Sequence, residues 1–478
     1  MSAMMEPALG DAPPRFGMSE QEVMGLADEL VAYHREFADL FGRREQRCWS
    51  LVCLQGLLLP GRRKCAEALA LMVGKGKVRE MQRFIGEGAW DDAAILRKHA
   101  ELVADSLGEG GGVLIVDGSE FPKKGRHSVG VARQYCGATG KVDNCQAGVF
   151  VAYVSARGHT LLDRRLYVPE EWFETASRER WERCGIPEGT AFRTKPELAW
   201  EMIQEVHTRG VVPFSWVVCD EGFGDSPEFL ERLEGAQVAY LAEVRISTRV
   251  WRERPATQLP AWKGVGRRPW RRRVQPGAAA AVRLDELARQ LPAKAWRTST
   301  IKLGEKGPIR AQFAVVRVVA VRQKLPGPDL WVLLRRSLEQ SPELKAYLSN
   351  APRSTPRRDL VRLSGLRWPI ETCFQQAKGE LGMDQYQTRS WRGWHHHMTL
   401  VILAHHFLVR LTLRHKKGHR PSASGKPVSC WPLPSQATTS AQHAPSPWCA
   451  TSNAPITRPK CRTTATMPNA ATNHDEAS

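Results

Sequence analysis

Two stretches decide the fold: Gly112-Val-Leu-Ile-Val-Asp117 and Phe214-Ser-Trp-Val-Val-Cys-Asp220. Each is a short apolar run that ends on an aspartate. A continuous apolar run is the pattern of a strand covered on both faces, as parallel sheets require. The first follows a glycine-rich joint, Gly108-Glu-Gly-Gly-Gly112. The second leads into Asp220-Glu-Gly-Phe-Gly-Asp225, after which Ser226-Pro227 opens a helix through Leu233. Val238–Ile246 reads as the next strand and closes a β-α-β unit. The fold class is therefore α/β. In such a sheet the crevice lies at the C-terminal ends of the strands, where Asp117 and Asp220 both fall. Either aspartate taken alone is as readily a turn residue or helix cap.

Outward from these runs, Ser128–Cys136, Ala147–Ser155 and His159–Tyr167 read as strands, with a turn at 137–140, and Lys195–Arg209 as a helix. Residues 16–107 read as helical. Ser19 is an expected N-cap with Glu22 at the capping-box position, and Val23, Leu26, Leu30 and Tyr33 recur at helical spacing. Cys48–Leu58 forms a second helix, a third follows Lys64, and Lys75–Ile85 sets basic groups beside an apolar stripe. This segment suits a DNA-binding module or a plain helical dimerisation domain. Residues 247–339 hold an Arg- and Trp-rich stretch at 251–273, then strands at Ile309–Val321 and Leu330–Leu334, and read as a β-rich insertion with one basic face. Residues 340–413 turn helical from Pro356 to Phe407, with breaks near Gly382 and Gly393. The expected segments are thus 1–15 (disordered), 16–107, 108–246, 247–339, 340–413 and 414–478, the last rich in Ser, Thr, Ala and Pro and expected to be disordered.

The 478 residues carry a formal net charge of +19, which favours a polyanionic partner over a merely solvated surface. No apolar run reaches the roughly 18–20 residues that cross a bilayer, and the start lacks the order of a signal peptide. The expected location is the bacterial cytoplasm, in association with the nucleoid, with no membrane partner. The eleven cysteines include no C-x-x-C pair, so a zinc ribbon is not expected. His395–His397 and His405–His406 resemble metal ligands, but read better as surface or phosphate-contacting residues.

A third acid joins the two aspartates in Arg367-Trp-Pro-Ile-Glu371, with Lys378 seven residues later. Pro369 suits a first helical turn. At about 100° per residue Lys378 falls within about 20° of Glu371, while Ile370, Phe374, Ala377 and Leu381 form a separate apolar stripe. The stripe would pack on the sheet. Glu371 would point to metal, Lys378 to phosphate, and Arg367 would clamp a phosphate bidentately. The plainer alternative is a Glu–Lys surface pair. Carboxylates on separate rigid elements suit Mg²⁺, which takes hard oxygen ligands and keeps several waters. Two such ions about 4 Å apart can activate a nucleophilic oxygen and stabilise the leaving oxygen of a phosphodiester.

These motifs, in this order, resemble DDE transposases of bacterial insertion sequences. Arg367-x3-Glu371-x6-Lys378 is similar to the Y-x2-R-x3-E-x6-K element of that group. Asp-Gly-Ser-Glu-Phe-Pro-Lys-Lys-Gly from Asp117, and Cys-Asp-Glu-Gly-Phe-Gly-Asp around Asp220, are similar to its first and second acid motifs. Ser364 stands where the group has its tyrosine. The resemblance spans roughly residues 20–412. It implies a ribonuclease-H-like catalytic core interrupted by the β-rich insertion. It also implies a catalytic, metal-binding triad of Asp117, Asp220 and Glu371 with two Mg²⁺ (or Mn²⁺) ions. Arg367 and Lys378 would bind DNA. An insertion tryptophan would assist base flipping, with Trp251, Trp262 and Trp270 as candidates. The partners implied are terminal inverted repeats and target DNA, bound by a homodimer. The alternatives are a catalytically inactive DNA-binding remnant, or a metal-dependent nuclease of repair or RNA processing.

Overall fold

The computed structural model describes residues 20–418, apart from 62, 263, 305–306 and 340–342. Ser19, residues 1–15 and most of the expected tail lie outside the described residues.

Five helices come first: α1 (Glu20–Ala38), α2 (Arg44–Leu58), α3 (Ala66–Met72), α4 (Val78–Gly86) and α5 (Asp92–Leu107). Asp91 caps α5 by accepting a hydrogen bond from the Ala94 N–H at 3.0 Å. Then follow β1 (Val113–Pro122), β2 (Ala132–Cys136), β3 (Lys141–Val154), β4 (His159–Tyr167), α6 (Arg178–Cys184), α7 (Lys195–Arg209), β5 (Trp216–Cys219), α8 (Glu221–Gly224), α9 (Pro227–Gly235) and β6 (Ala239–Val244). The bounds of α7 follow from local chemistry. Thr194 and Glu197 form a capping box, a proline sits in the first turn, and Gly210 ends the helix with φ 61°.

The next region holds four short strands, β7 (Arg249–Trp251), β8 (Thr257–Gln258), β9 (Arg273–Val274) and β10 (Val282–Arg283), then helix α10 (Leu284–Gln290). Strands β11 (Arg297–Gly304), β12 (Gly307–Arg322), β13 (Leu325–Arg336) and β14 (Leu344–Ser349) follow. The chain closes with α11 (Arg357–Ser364), α12 (Trp368–Gly379) and α13 (Trp391–Gly418). The break between α12 and α13 spans residues 380–390, and Gly393 lies within α13. Residues 414–418, expected to begin the disordered tail, are its last turn.

The large sheet runs β10-β7-β12-β13-β14-β6-β5-β1-β3-β2, with β4 also on β3 and β11 on β12. Strands β1, β5 and β6 are mutually parallel, while β3 is antiparallel to β1 and β4 to β3. Long strands of the expected insertion, β12 and β13, extend this same sheet through β14.

The sheet separates two apolar clusters. Leu114, Val116, Val217, Cys219, Tyr240 and Ala242 face one, with α7 and α9. Ile115, Val218 and Leu241 face the other, with α12, α13 and the first five helices. Within this second cluster α13 is covered on all sides, so its histidines are buried. His396 is 1% exposed and His406 0%, and Trp90 stacks on His396 with ring centroids 3.6 Å apart. The expectation that the histidine runs lie at the surface is therefore corrected: the helix carrying them is a central spine. Among the described residues no helix is long and apolar enough to cross a membrane.

Candidate active site

Strand register sets the acids in one row. Val116 pairs with Cys219, and Cys219 with Ala242. The next residue on each strand is Asp117, Asp220 and Glu243. Alternation along a strand puts this row on the face of Ile115, Val218 and Leu241, where α12 lies, and neighbouring strands are about 4.8 Å apart. Glu243 was not singled out from the sequence. Its signal was the third apolar run, Tyr240-Leu-Ala-Glu243, which ends on an acid as the first two do.

Asp117 is largely buried. Its Oδ1 accepts the Gly118 N–H at 2.8 Å, and its Oδ2 lies 3.4 Å from Arg367 Nη1. Burial and then the neighbouring Asp220 push its carboxyl up to about 7, with Glu371 adding to the rise and Arg367 opposing it. Asp220 precedes α8. Its Oδ1 is buried with no hydrogen-bond partner among the described residues. Burial raises its carboxyl above the ordinary range, Glu243 adds to this, and Arg367 with the nearby Gly222 and Phe223 N–H groups works against it. Neither N–H reaches Oδ1 with hydrogen-bond geometry.

Glu371 lies in the first turn of α12, half-exposed, with Oε1 2.5 Å from Arg367 Nη2. Arg367 thus bridges Asp117 on β1 and Glu371 on α12. Glu371 takes this partner rather than Lys378, whose Nζ lies 3.4 Å from the Glu120 carbonyl. The stripe Ile370, Phe374, Ala377 and Leu381 is buried. Glu243 Oε1 lies 3.0 Å from Lys345 Nζ on β14. The two other acids of the loop after β5, Glu221 and Asp225, are engaged elsewhere, pairing with Arg245 at 3.3 and 2.7 Å. Ser364 is buried at the end of α11, donating to the Val361 carbonyl at 2.7 Å.

The insertion tryptophans divide. Trp251 is 5% exposed within β7, which corrects its candidacy: a ring held in the sheet is not available to a base. Trp262 and Trp270 are exposed. Arg268 lies 5.1 Å from the Trp262 ring, and Arg271 4.4 Å from that of Trp270. A half-open pocket of about 260 Å³ lies elsewhere, lined by α5, β4 and α7 residues including Asp92, Arg165 and Glu205. Its charges pair among themselves, with Arg165 2.7 Å from Asp163 and 3.2 Å from Glu205.

Among the described residues no three His, Cys, Asp or Glu side chains converge as a ready cage for one ion. The donors nonetheless fit a hard divalent cation. Two buried carboxylates stand side by side, both with raised proton affinity, and one oxygen is unsatisfied. Glu371 faces them across Arg367, and Mg²⁺ sites with few carboxylates are ordinary.

The raised Asp117 makes a testable difference. Its folded-state value of about 7 exceeds the unfolded value, so between roughly pH 4 and 7 the folded state holds the extra proton. Stability then falls as pH rises through this window, by up to about 1.4 kcal/mol per pH unit for this one group. Asp117→Asn removes that component. In EDTA, the stability gained by the variant over wild type should grow from pH 4.5 to 7, as read by urea unfolding at each pH. A gap that does not change with pH overturns it.

An α/β core with paired carboxylates where the parallel pairing of β1 with β5 ends is consistent with a nuclease-like core. Residues 36–308 match the sequence profile of the DDE superfamily endonucleases, more than half of the chain, and the chain belongs to that family. The matched segment contains Asp117, Asp220 and Glu243 and ends before Glu371. The chain is also 24% identical over 365 residues to a protein of Microchaete diplosiphon described as a probable transposase for insertion sequence element IS701. That alignment covers 76% of this chain and 81% of the relative. Among solved structures, the NurA nuclease of Sulfolobus solfataricus gives a TM-score of 0.26 at 11% identity, over 62% of this chain and 86% of that one. A likeness that slight carries no weight for the fold.

Proposed function

We propose that the protein is the transposase of an insertion sequence. It would cut phosphodiester bonds at the element's terminal inverted repeats and transfer the freed 3′-hydroxyl into target DNA. The observation that carries this reading is the adjacent pair Asp117 and Asp220, of which Asp117 is bridged through Arg367 to Glu371. The strand order β4-β3-β1-β5-β6, with only β3 reversed among β3, β1, β5 and β6, supports a ribonuclease-H-like core. The IS701 relative supports the transposase class.

Asp117, Asp220 and Glu371 would hold two Mg²⁺ or Mn²⁺ ions, which when bound activate the attacking oxygen and stabilise the leaving one. The residues themselves do the rest. Arg367 keeps Glu371 and Asp117 together while the site awaits substrate, and offers a planar fork to a phosphate. Lys378 adds charge farther along α12. Trp270, exposed among arginines, offers a face for a base to stack on. The helices of residues 20–107 would recognise the repeats, and two copies would join two ends. The cytoplasm, at the nucleoid, is the proposed location.

Glu243 and Lys345 tune the charge of this site. Glu243→Gln leaves Lys345 beside the row with only the more distant Glu343 at 4.0 Å and should weaken Mn²⁺ binding several-fold, about tenfold at most, whereas Lys345→Gln should tighten it. The double variant should fall near wild type. Calorimetric Mn²⁺ titration without DNA reads this directly, and same-sign effects of the two single changes exclude tuning by charge.

The function itself is tested with the native locus and its flanks on a plasmid, the protein being supplied in trans. Excision followed by rejoining at a new site is the expected result. Cleavage without joining identifies a nuclease, and specific binding without cleavage identifies an inactive remnant.

A further inference from the structure

β1 and α12 leave the acid row together. Lys378 lies seven residues, about 10 Å, along α12 from Glu371. It meets the Glu120 carbonyl, three residues and about 10 Å along β1 from Asp117. Lys123 follows at about 20 Å, with Nζ 3.5 Å from the Tyr386 ring centroid. Beyond it opens a polar groove of about 580 Å³, lined by His127, Arg183, Thr388, Arg389 and Ser390 among others.

The groove is built from four separate segments that are tied together, the Ser390 hydroxyl donating to the Gly86 carbonyl at 3.3 Å. The Val129 N–H donates to the Arg389 carbonyl at 2.9 Å, and Cys184 Sγ on α6 to the His127 carbonyl at 3.4 Å. Arg389 in the lining, and Lys124 and Arg126 in the loop that leads to His127, are exposed, and none has an ion-pair partner among the described residues. Most arginines on the rest of β1–β6 and their helices are paired: Arg157, Arg165, Arg178, Arg193, Arg209, Arg232 and Arg245 all have acids within 4.0 Å. Glu87, the acid in the lining, is engaged by Arg83 at 3.7 Å.

We propose that this groove seats the sugar-phosphate backbone of duplex DNA roughly six base pairs from the bond being cut, at about 3.4 Å per pair. The inference rests on the DNA-cleaving role proposed above and adds to it a second, separate point of contact. The chemistry suits a backbone rather than a peptide. The lining is hydroxyl-bearing and carries two arginines, Arg389 without an acid and Arg183 paired with Glu179, and has none of the buried aromatic or apolar anchors that dominate protein interfaces. Fixed cations without acids release condensed counterions when phosphates enter. Arg367 and Lys378 would hold the same duplex at the cleavage end, so the track has two anchored ends.

The test uses the full-length protein and a mixed-sequence 30-base-pair duplex, since backbone contacts need no particular sequence. Binding is measured from 50 to 300 mM KCl for wild type, for Arg126→Gln/Arg389→Gln and for Lys124→Gln. Two lost phosphate contacts should lower the slope of log K against log salt by about 2, and one by about 1. The double variant should also lose roughly tenfold or more in affinity at 0.15 M salt. All three side chains are exposed, and the single variant keeps the test open if the double does not fold. Steep wild-type binding with unchanged slopes in both variants overturns the groove and leaves the DNA role standing. Absence of salt-dependent binding by wild type overturns both.

Discussion

Glu371→Gln should lower excision by at least about 10³-fold while leaving affinity for the flanking DNA within about threefold. The amide keeps the size of the carboxylate and one acceptor oxygen, so the packing of α12 on the sheet through Ile370, Phe374 and Ala377 is untouched. What is lost is one negative charge facing Asp117 and Asp220. Metal-assisted stabilisation of transition-state charge amounts to several kcal/mol, and each 1.4 kcal/mol or so is a factor of ten in rate. The structural cost is small. The Arg367–Glu371 pair is half-exposed on the glutamate side, and such pairs contribute about 0–1 kcal/mol. Binding is spared because the cations of the proposed track are unaltered and Arg367 retains Asp117. The measurement is plasmid excision beside a gel shift on the same flanks. Residual divalent-dependent excision within tenfold of wild type removes Glu371 from the triad. Loss of binding in step with excision makes it a structural residue instead.

Much of the fold was legible where local chemistry acts alone. His159–Tyr167 and Lys195–Arg209 match the observed β4 and α7 end to end, because Gly158 and Pro169 bracket the strand and caps bound the helix. β1 runs beyond the expected Val116 to Pro122, since Ser119 and Glu120 keep pairing with β3, and a polar residue on a paired strand looks like a loop in sequence. The row of acids was two-thirds legible. Asp117 and Asp220 directly follow the runs read as strands; Glu243 also ends an apolar run but lay inside the expected strand Val238–Ile246, and it joins the row only once β6 lies parallel to β5. Trp251 and Trp270 are alike in sequence. Only the pairing of β7 with β12 sends the first inward. The histidine runs were misread for a similar reason. A neutral imidazole is comfortable inside only if a fixed acceptor meets its one N–H, and the carbonyls beside the two nitrogens of His396, those of Ile85 at 2.9 Å and Trp90 at 3.2 Å, come from about 300 residues away.

Those histidines give the largest expected effect on stability: cooperative unfolding near pH 5.5. His34, His99, His395, His396, His397, His405 and His406 are all buried. Burial pulls His34, His99, His396 and His397 down to about 4, and His395 and His405 to about 3. His406 is also held well below its ordinary value, first by burial and then by the charges of His99 and Arg410. Asp92 opposes the fall at His395 and His396, yet the net direction at both is down. With folded values below the unfolded value near 6.5, the unfolded chain binds the extra protons. The stability these groups contribute is therefore complete above pH 6.5 and is lost as pH falls toward 4. At pH 5.5 each histidine costs about 1.4 kcal/mol, and the seven together about 10 kcal/mol, comparable with the roughly 5–15 kcal/mol that holds a whole domain. Asp117 and Asp220, both raised, work in the opposite direction, but they are two groups against seven. Urea unfolding at pH 7.5, 6.5 and 5.5 should show a steep fall in the midpoint over the last interval. His405→Gln, which removes one titrating ring that meets Thr160 and Gln376 at 3.0 Å, should flatten that fall by about 1 kcal/mol per pH unit. A wild-type protein equally stable at pH 5.5 and 7.5 would mean that the spine helix opens enough to hydrate its imidazoles without unfolding, and that α13 is not the fixed centre about which the helices and the acid row are arranged.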